Sequence, residues 1–265
     1  MSDLLFDKHS DGTAILTINR PSFHNAFNET LIADMTAALI DIDHDKDIRL
    51  LILSANGKSF SAGADLNWMK KVAIFSEDEN IEDATKLAEL MSTLNNLSKP
   101  TIARVQGAAY GGGIGLIACC DIAIATESAS FALSEVKLGL IPAVISPYVI
   151  AAIGERQARR YFLTAESFNA MEAHRIGLVH MISPDETSMD VMIHSIISAM
   201  LKTSPIAQHE AKLLIRRVGN ANIDDDLIKD TVKRIARVRI SEEGKEGINA
   251  FLEKRNPRWV MDNQS

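Results

Sequence analysis

Two glycine-bearing turns and one carboxylate carry the chemistry available to this sequence. The first turn is Ser59-Phe60-Ser61-Ala62-Gly63-Ala64-Asp65-Leu66, and the second is Gly107-Ala108-Ala109-Tyr110-Gly111-Gly112-Gly113. Each follows an apolar strand-like segment and precedes a short helical pattern. Small residues there leave backbone N–H groups uncovered at a helix N-terminus, where they can bind an anion or a developing oxyanion. One such turn alone is better explained by a need for conformational freedom. Two in matching context, with a carboxylate downstream, favour a site. That carboxylate is Glu135, the acidic side chain between apolar residues in Ser130-Phe-Ala-Leu-Ser-Glu135-Val-Lys-Leu-Gly139-Leu-Ile-Pro142. A carboxylate against an apolar wall has a raised pKa and can act as general acid or base. Spacing alone serves equally a surface or helix-start glutamate, with Ser134 as the cap.

The elements that must position these groups are short apolar strands alternating with helices. Strands are predicted at 14–19, 50–54, 101–105, 122–126 and 178–182. Asn28 is placed to cap a helix that buries Leu31, Met35, Leu39 and Ile42. A second helix buries Leu87, Met91 and Leu94 and ends before Lys99-Pro100. This alternation predicts an α/β architecture. From Ser188 onward only helical patterns follow, broken at Ser204-Pro205, Gly219-Asn220 and near Ser241. The expected organisation is an α/β core over 1–190 and a helical region over 191–265. A tail with no closed core of its own packs on the core domain or on a neighbouring subunit.

The chain has 265 residues, 24% charged and 46% hydrophobic, with a net charge of −7. That apolar content supports a sizeable core. An acidic chain without a basic cluster argues against nucleic-acid and anionic-membrane partners. The run 141–154 is too short to span a bilayer, and the N-terminus lacks the pattern of a secretory signal, so a cytoplasmic location is expected. The two cysteines, Cys119 and Cys120, are adjacent and exclude a disulfide scaffold. No metal is expected. Asp43, Asp45 and Asp47 mimic a calcium loop, but Ile48 and Ser54 occupy the positions needing Gly and Glu. Gly57-Lys58-Ser59 lacks the first glycine of a phosphate loop, and Gly113-Ile-Gly115-Leu-Ile-Ala118 is followed too soon by Asp121 for a dinucleotide-binding unit.

Taken in order, Phe60-Ser-Ala-Gly-Ala-Asp-Leu, Gly107-(x)3-Gly-Gly-Gly-(x)6-Cys-Asp121 and Phe131-(x)3-Glu135-(x)3-Gly139-(x)2-Pro142 resemble the crotonase, or enoyl-CoA hydratase/isomerase, superfamily. Asn25-Ala26-Phe27, Arg175-Ile-Gly-Leu-Val and Phe251-Leu-Glu-Lys254-Arg extend the resemblance over nearly the whole chain. It implies an α/β, crotonase (ClpP-like) spiral of ββα units with a helical C-terminal trimerisation region, assembled as a homotrimer or dimer of trimers. It implies an acyl-CoA thioester substrate and no cofactor beyond the coenzyme A of that substrate. The thioester oxygen would lie between the N–H groups of Ala64 and Gly112, with Glu135 handling protons. His24, Ala26 and Phe27 would line the pantetheine or adenine side, and Ala62, Asp65, Leu66, Asn67, Tyr110 and Gly111 would complete the binding stretch. Phe251 and Lys254 would approach the CoA from a neighbouring subunit.

The sequence departs from that family at one position. Short-chain hydratases use two glutamates, and Gly115 stands where the first belongs. One expectation is a hydratase of a branched or carboxylated enoyl-CoA, with Gly115 leaving room for bulk and Glu135 working with a bound water. The stretch from Gly115 to Asp121, with Leu140 to Pro147, looks most like bacterial methylglutaconyl-CoA hydratases of leucine breakdown. A second is an enoyl-CoA isomerase that shuttles one proton on a single glutamate. A third is a non-enzymatic acyl-CoA- or RNA-binding relative, for which a charge of −7 is unsuited.

Overall fold

The computed structural model describes residues 2–219 and 221–260. The chain winds as a spiral between two sheets. It begins with β1 (Leu4–Lys8), β2 (Thr13–Ile18) and α1 (Glu29–His44). The turns that follow are β3 (Leu50–Ala55), β4 (Ser59–Ala62), α2 (Leu66–Val72) and α3 (Glu77–Asn96); then β5 (Thr101–Val105), β6 (Ala108–Tyr110) and α4 (Gly112–Cys119). Next come β7 (Ile122–Thr126), β8 (Ser130–Ala132), a 3-10 helix (Glu135–Leu138) and α5 (Ser146–Thr164), followed by β9 (Phe168–Asn169), α6 (Ala170–Arg175) and β10 (Met181–Ser183). Helices α7 (Glu186–Leu201), α8 (Pro205–Val218), α9 (Asp225–Ile240) and α10 (Glu242–Glu253) complete the chain.

The six-stranded sheet runs β1-β2-β3-β5-β7-β10 and the four-stranded sheet β4-β6-β8-β9. Among the described strands, only the outer pairs β1/β2 and β8/β9 are antiparallel. The inner strands of the first sheet are apolar throughout because both faces are covered. Leu51, Leu53, Ala103 and Val105 face the main core with α1 and α3. Their alternates Leu50, Ile52, Ile102 and Ile124 pack under Met189, Ile193 and Ile197 of α7. Helix α7 therefore belongs to the core sheet's packing and runs across the 190/191 boundary expected from the sequence.

Local signals are obeyed closely. Asn28 Oδ1 accepts from the Leu31 N–H at 2.8 Å, and Leu31, Met35, Leu39 and Ile42 are buried. Ser204 and Ser241 cap α8 and α10, Gly219 follows α8, and Asn220 lies outside the described residues. Leu178 and Val179 are buried in a loop ahead of β10 instead of opening a strand. Asp45 and Asp47 bind Lys8 at 2.7 and 3.3 Å, while Asp43 accepts from the Ser98 N–H. Among the described residues, no helix is long and apolar enough to cross a membrane.

The tail docks through charge. The ammonium of Lys212 on α8 lies 2.6 Å from Asp121 Oδ2, which also accepts from the Thr101 N–H and hydroxyl at 2.8 and 2.9 Å. The aspartate that closes the second sequence motif therefore joins β5 and β7 to α8.

Candidate active site

The second sheet fixes the candidate site by register. Ala62, Tyr110 and Ala132 are aligned neighbours at the C-terminal ends of β4, β6 and β8. Ala64 and Gly112 stand two residues beyond that row, and Glu135 three. Three chain crossings thus deliver two backbone donors and one carboxylate to one sheet edge, the edge where open parallel sheets bind ligands.

Each donor is freed by its surroundings. Phe27 bridges Ala64 in parallel: its N–H donates to Gly63 O and its carbonyl accepts from the Asp65 N–H, both at 2.8 Å. In that pattern the N–H of Ala64 points to the other side of the strand. Gly112 is the first residue of α4, so its N–H has no partner within the helix. The glycines hold α4 in place. A Cβ on Gly112 would lie 2.8 Å from the Phe27 ring, and one on Gly113 would lie 2.6 Å from Ser61 O. Gly111, at φ 51° and ψ −116°, turns the chain into α4.

Glu135 opens its 3-10 helix with Ser134 at the cap position, but Ser134 makes no side-chain cap bond, so the capped helix-start alternative is not what the structure shows. The carboxylate leans on the turn before α4: a Cβ on Gly111 would lie 2.9 Å from Glu135 Oε1. Oε2 is buried and has no hydrogen-bond partner. Burial pushes the carboxyl above its ordinary pKa, the direction required of a group that carries a proton near neutrality.

Residues 20–27 form the adjoining wall. His24 and Asn25 both adopt positive φ, 50° and 54°. Buried Asn25 holds them there: its Oδ1 accepts from the Arg20 N–H, and its Nδ2 donates to Asn56 O and Ser59 O. His24 is exposed, with Nδ1 3.1 Å from Ser59 Oγ. Ala26 and Phe27 are buried, so they shape the wall from within instead of lining it. Asp65 also differs from expectation. Its Oδ1 caps α2 through the Asn67 and Trp68 N–H groups, and its Oδ2 pairs with buried Arg20 at 3.0 Å. The guanidinium of Arg20 also donates to Ala26 O. Asp65 is therefore a brace between the two loops, and no sequence pattern singled out its partner Arg20.

Leu66 and Asn67 are exposed on the first turn of α2, Ala62 is half-buried, and Tyr110 places its hydroxyl 3.2 Å from Ser130 Oγ. Phe251 and Lys254 are not brought to Glu135 within this chain. They lie at the exposed end of α10, which packs on α8 and α9.

Gly115 is the main surprise. Its side-chain position is not open: a Cβ there would lie 2.3 Å from Ile145 Cγ2 and 3.2 Å from Met91 Cε. The room expected at Gly115 is already filled. A cavity of about 760 Å³ lies elsewhere, between β2, β3 and α7, and is lined by none of the site residues expected from the sequence.

The sequence profile described as enoyl-CoA hydratase/isomerase matches residues 8–262. The chain belongs to the enoyl-CoA hydratase/isomerase family. Among solved structures, an enoyl-CoA hydratase from Shewanella pealeana is 49% identical, with a TM-score of 0.94 over 97% of this chain and 96% of the other. An enoyl-CoA hydratase from Mycobacterium smegmatis is 31% identical, with a TM-score of 0.92 over 98% and 100%. The 2,3-dehydroadipyl-CoA hydratase of Escherichia coli is 32% identical over 260 residues, 97% of this chain and 98% of the relative. The protein is an enzyme of this family with the crotonase fold, which sets aside the non-enzymatic alternative.

Proposed function

We propose that this family member hydrates a 2-enoyl-CoA thioester, a branched or carboxylated one such as 3-methylglutaconyl-CoA, with Glu135 as its one proton carrier. The observation that carries the proposal is the row formed by Ala64, Gly112 and Glu135 beyond the registered ends of β4, β6 and β8. The thioester oxygen accepts from the N–H groups of Ala64 and Gly112. Negative charge grows there as the enolate forms, and each preorganised donor contributes about 3 kcal/mol. Burial raises the pKa of Glu135, the direction that favours its proton-bearing form. One carboxyl oxygen gives that proton to C2 while the other takes one from the water whose oxygen bonds to C3. The carboxyl is regenerated, and the product gains one water.

The acyl group is supported by the motif resemblance and by the name of the Escherichia coli relative, whose substrate is a carboxylated enoyl-CoA. Chains assemble as a homotrimer or dimer of trimers in this account, with His24, Leu66, Asn67 and Tyr110 facing the CoA and Phe251 and Lys254 reaching it from a neighbour. Helix α9 supports such assembly, because Ile228, Val232 and Ile235 lie exposed on one face. Ile145 and Met91 at the place of a second carboxylate favour one further activity, double-bond isomerisation by Glu135 alone. The test is a panel of crotonyl-CoA, 3-methylglutaconyl-CoA and a 3-enoyl-CoA, read by absorbance and mass. Gain of one water on a 2-enoyl thioester supports hydration; conversion of the 3-enoyl thioester alone, without mass change, rejects it.

A further inference from the structure

We propose that Ile145 is a positioning residue that clamps the Glu135 connector to α4, and that Gly115 is the notch that receives it. The proposal rests on Glu135 as the proton carrier. The connector from Glu135 to α5 is sparsely held: between Glu135 and Ile145 only Pro142 is buried, with Val144 packed in part against the core. No residue of its 3-10 helix is fully buried, the helix lacks a side-chain cap, and Leu138, Leu140 and Ile141 are exposed. Ile145, ten residues beyond Glu135, is 2% exposed.

The connector meets α4 at two glycines. Glu135 Oε1 lies against Gly111, and Ile145 Cγ2 lies against Gly115. These glycines are four residues apart, and the Gly115 N–H donates to Gly111 O at 3.2 Å. One helical turn therefore separates the two contacts and puts them on one face. Between them lies Gly112, the proposed oxyanion donor. A connector pinned at Gly115 fixes where the carboxyl stands relative to that donor. Any side chain at 115 would displace Ile145, since even a Cβ falls 2.3 Å from its Cγ2.

Variants are assayed on crotonyl-CoA, with folding followed by circular dichroism. Removing Cγ2 in Ile145→Ala should lower kcat about 10- to 100-fold, the scale of a misplacement near 1 Å, with KM changed less than about threefold. Water admitted around the loosened carboxyl should also move its limb of the pH profile to lower pH. Ile145→Val keeps Cγ2 and should lose far less. Gly115→Ala should act like Ile145→Ala, and the double variant Gly115→Ala/Ile145→Ala should recover most of the loss, because the added Cβ then meets no Cγ2. Folded Ile145→Ala with unchanged kcat and pH profile overturns the clamp, even if Gly115→Ala fails to fold. So does a double variant no better than Gly115→Ala. Glu135→Gln is assayed beside them: full activity there overturns the proton-carrier assignment itself, whereas its loss with normal Ile145→Ala rejects the clamp alone.

Discussion

The Lys212–Asp121 pair should behave asymmetrically when either partner is removed. The lysine side chain is 10% exposed and the aspartate 31%. Burial pulls the ammonium below the ordinary lysine pKa in spite of the carboxylate beside it. In Asp121→Ala the ammonium keeps only the Lys99 carbonyl, at 3.1 Å, in a nearly dry setting. Orphaning one member of a fully buried pair costs about 3–5 kcal/mol; with one partner a third exposed, about 2–4 kcal/mol is expected. Thr101 also loses its acceptor, adding about 1 kcal/mol. In Lys212→Met the aspartate stays hydrated on its exposed side and still accepts from Thr101, so about 0–1 kcal/mol is expected. Urea unfolding at one fixed protein concentration measures both losses. Proteolysis near Thr203, between α7 and α8, should accelerate in Asp121→Ala only. A native lysine with lowered pKa holds fewer protons than its unfolded counterpart, so the Asp121→Ala deficit should shrink as pH rises into the alkaline range. A Lys212→Met loss equal to or larger than that of Asp121→Ala would refute the reasoning.

Two further outcomes follow from the site. Gly115→Glu should be destabilised by about 2–6 kcal/mol, from overpacking against Ile145 and burial of an unpaired carboxyl, and should gain no hydration of crotonyl-CoA; wild-type stability by urea unfolding would contradict the filled notch. Glu135→Gln should melt higher than wild type near neutral pH, because ionising a carboxyl with raised pKa disfavours the native state, and the gap should narrow as pH falls; an equal gap at all pH values by calorimetry would contradict it.

Four strands of the first sheet, β2, β3, β5 and β7, were legible because they are apolar runs of five or six residues separated by periodic helices, whereas the mostly exposed β1 gave no signal and the three-residue β10 begins three residues later than expected. The second sheet was not legible. Strands of two to four residues, such as Ser59–Ala62 and Ala108–Tyr110, lie inside the glycine-bearing turns and are too short to show a period. The glycines and Glu135 were legible as residue types in motif order, whereas their alignment needed the register of β4, β6 and β8. Arg20 and Ile145 were hidden for another reason: each acts through a contact remote in sequence, with Asp65 and with Gly115. Gly115 itself shows the limit of the pattern, since an absent side chain can mean open space or a neighbour already in it.

In the proposed reaction Glu135 alone moves the protons as water adds to an enoyl thioester. Its most direct test is ¹⁸O incorporation from labelled water by wild type and Glu135→Gln over the enoyl-CoA panel. Label at C3 of the wild-type product and a rate lower by about 10²–10⁴-fold in the variant are expected. Unlabelled, isomerised product from wild type, or undiminished labelling by Glu135→Gln, would contradict it.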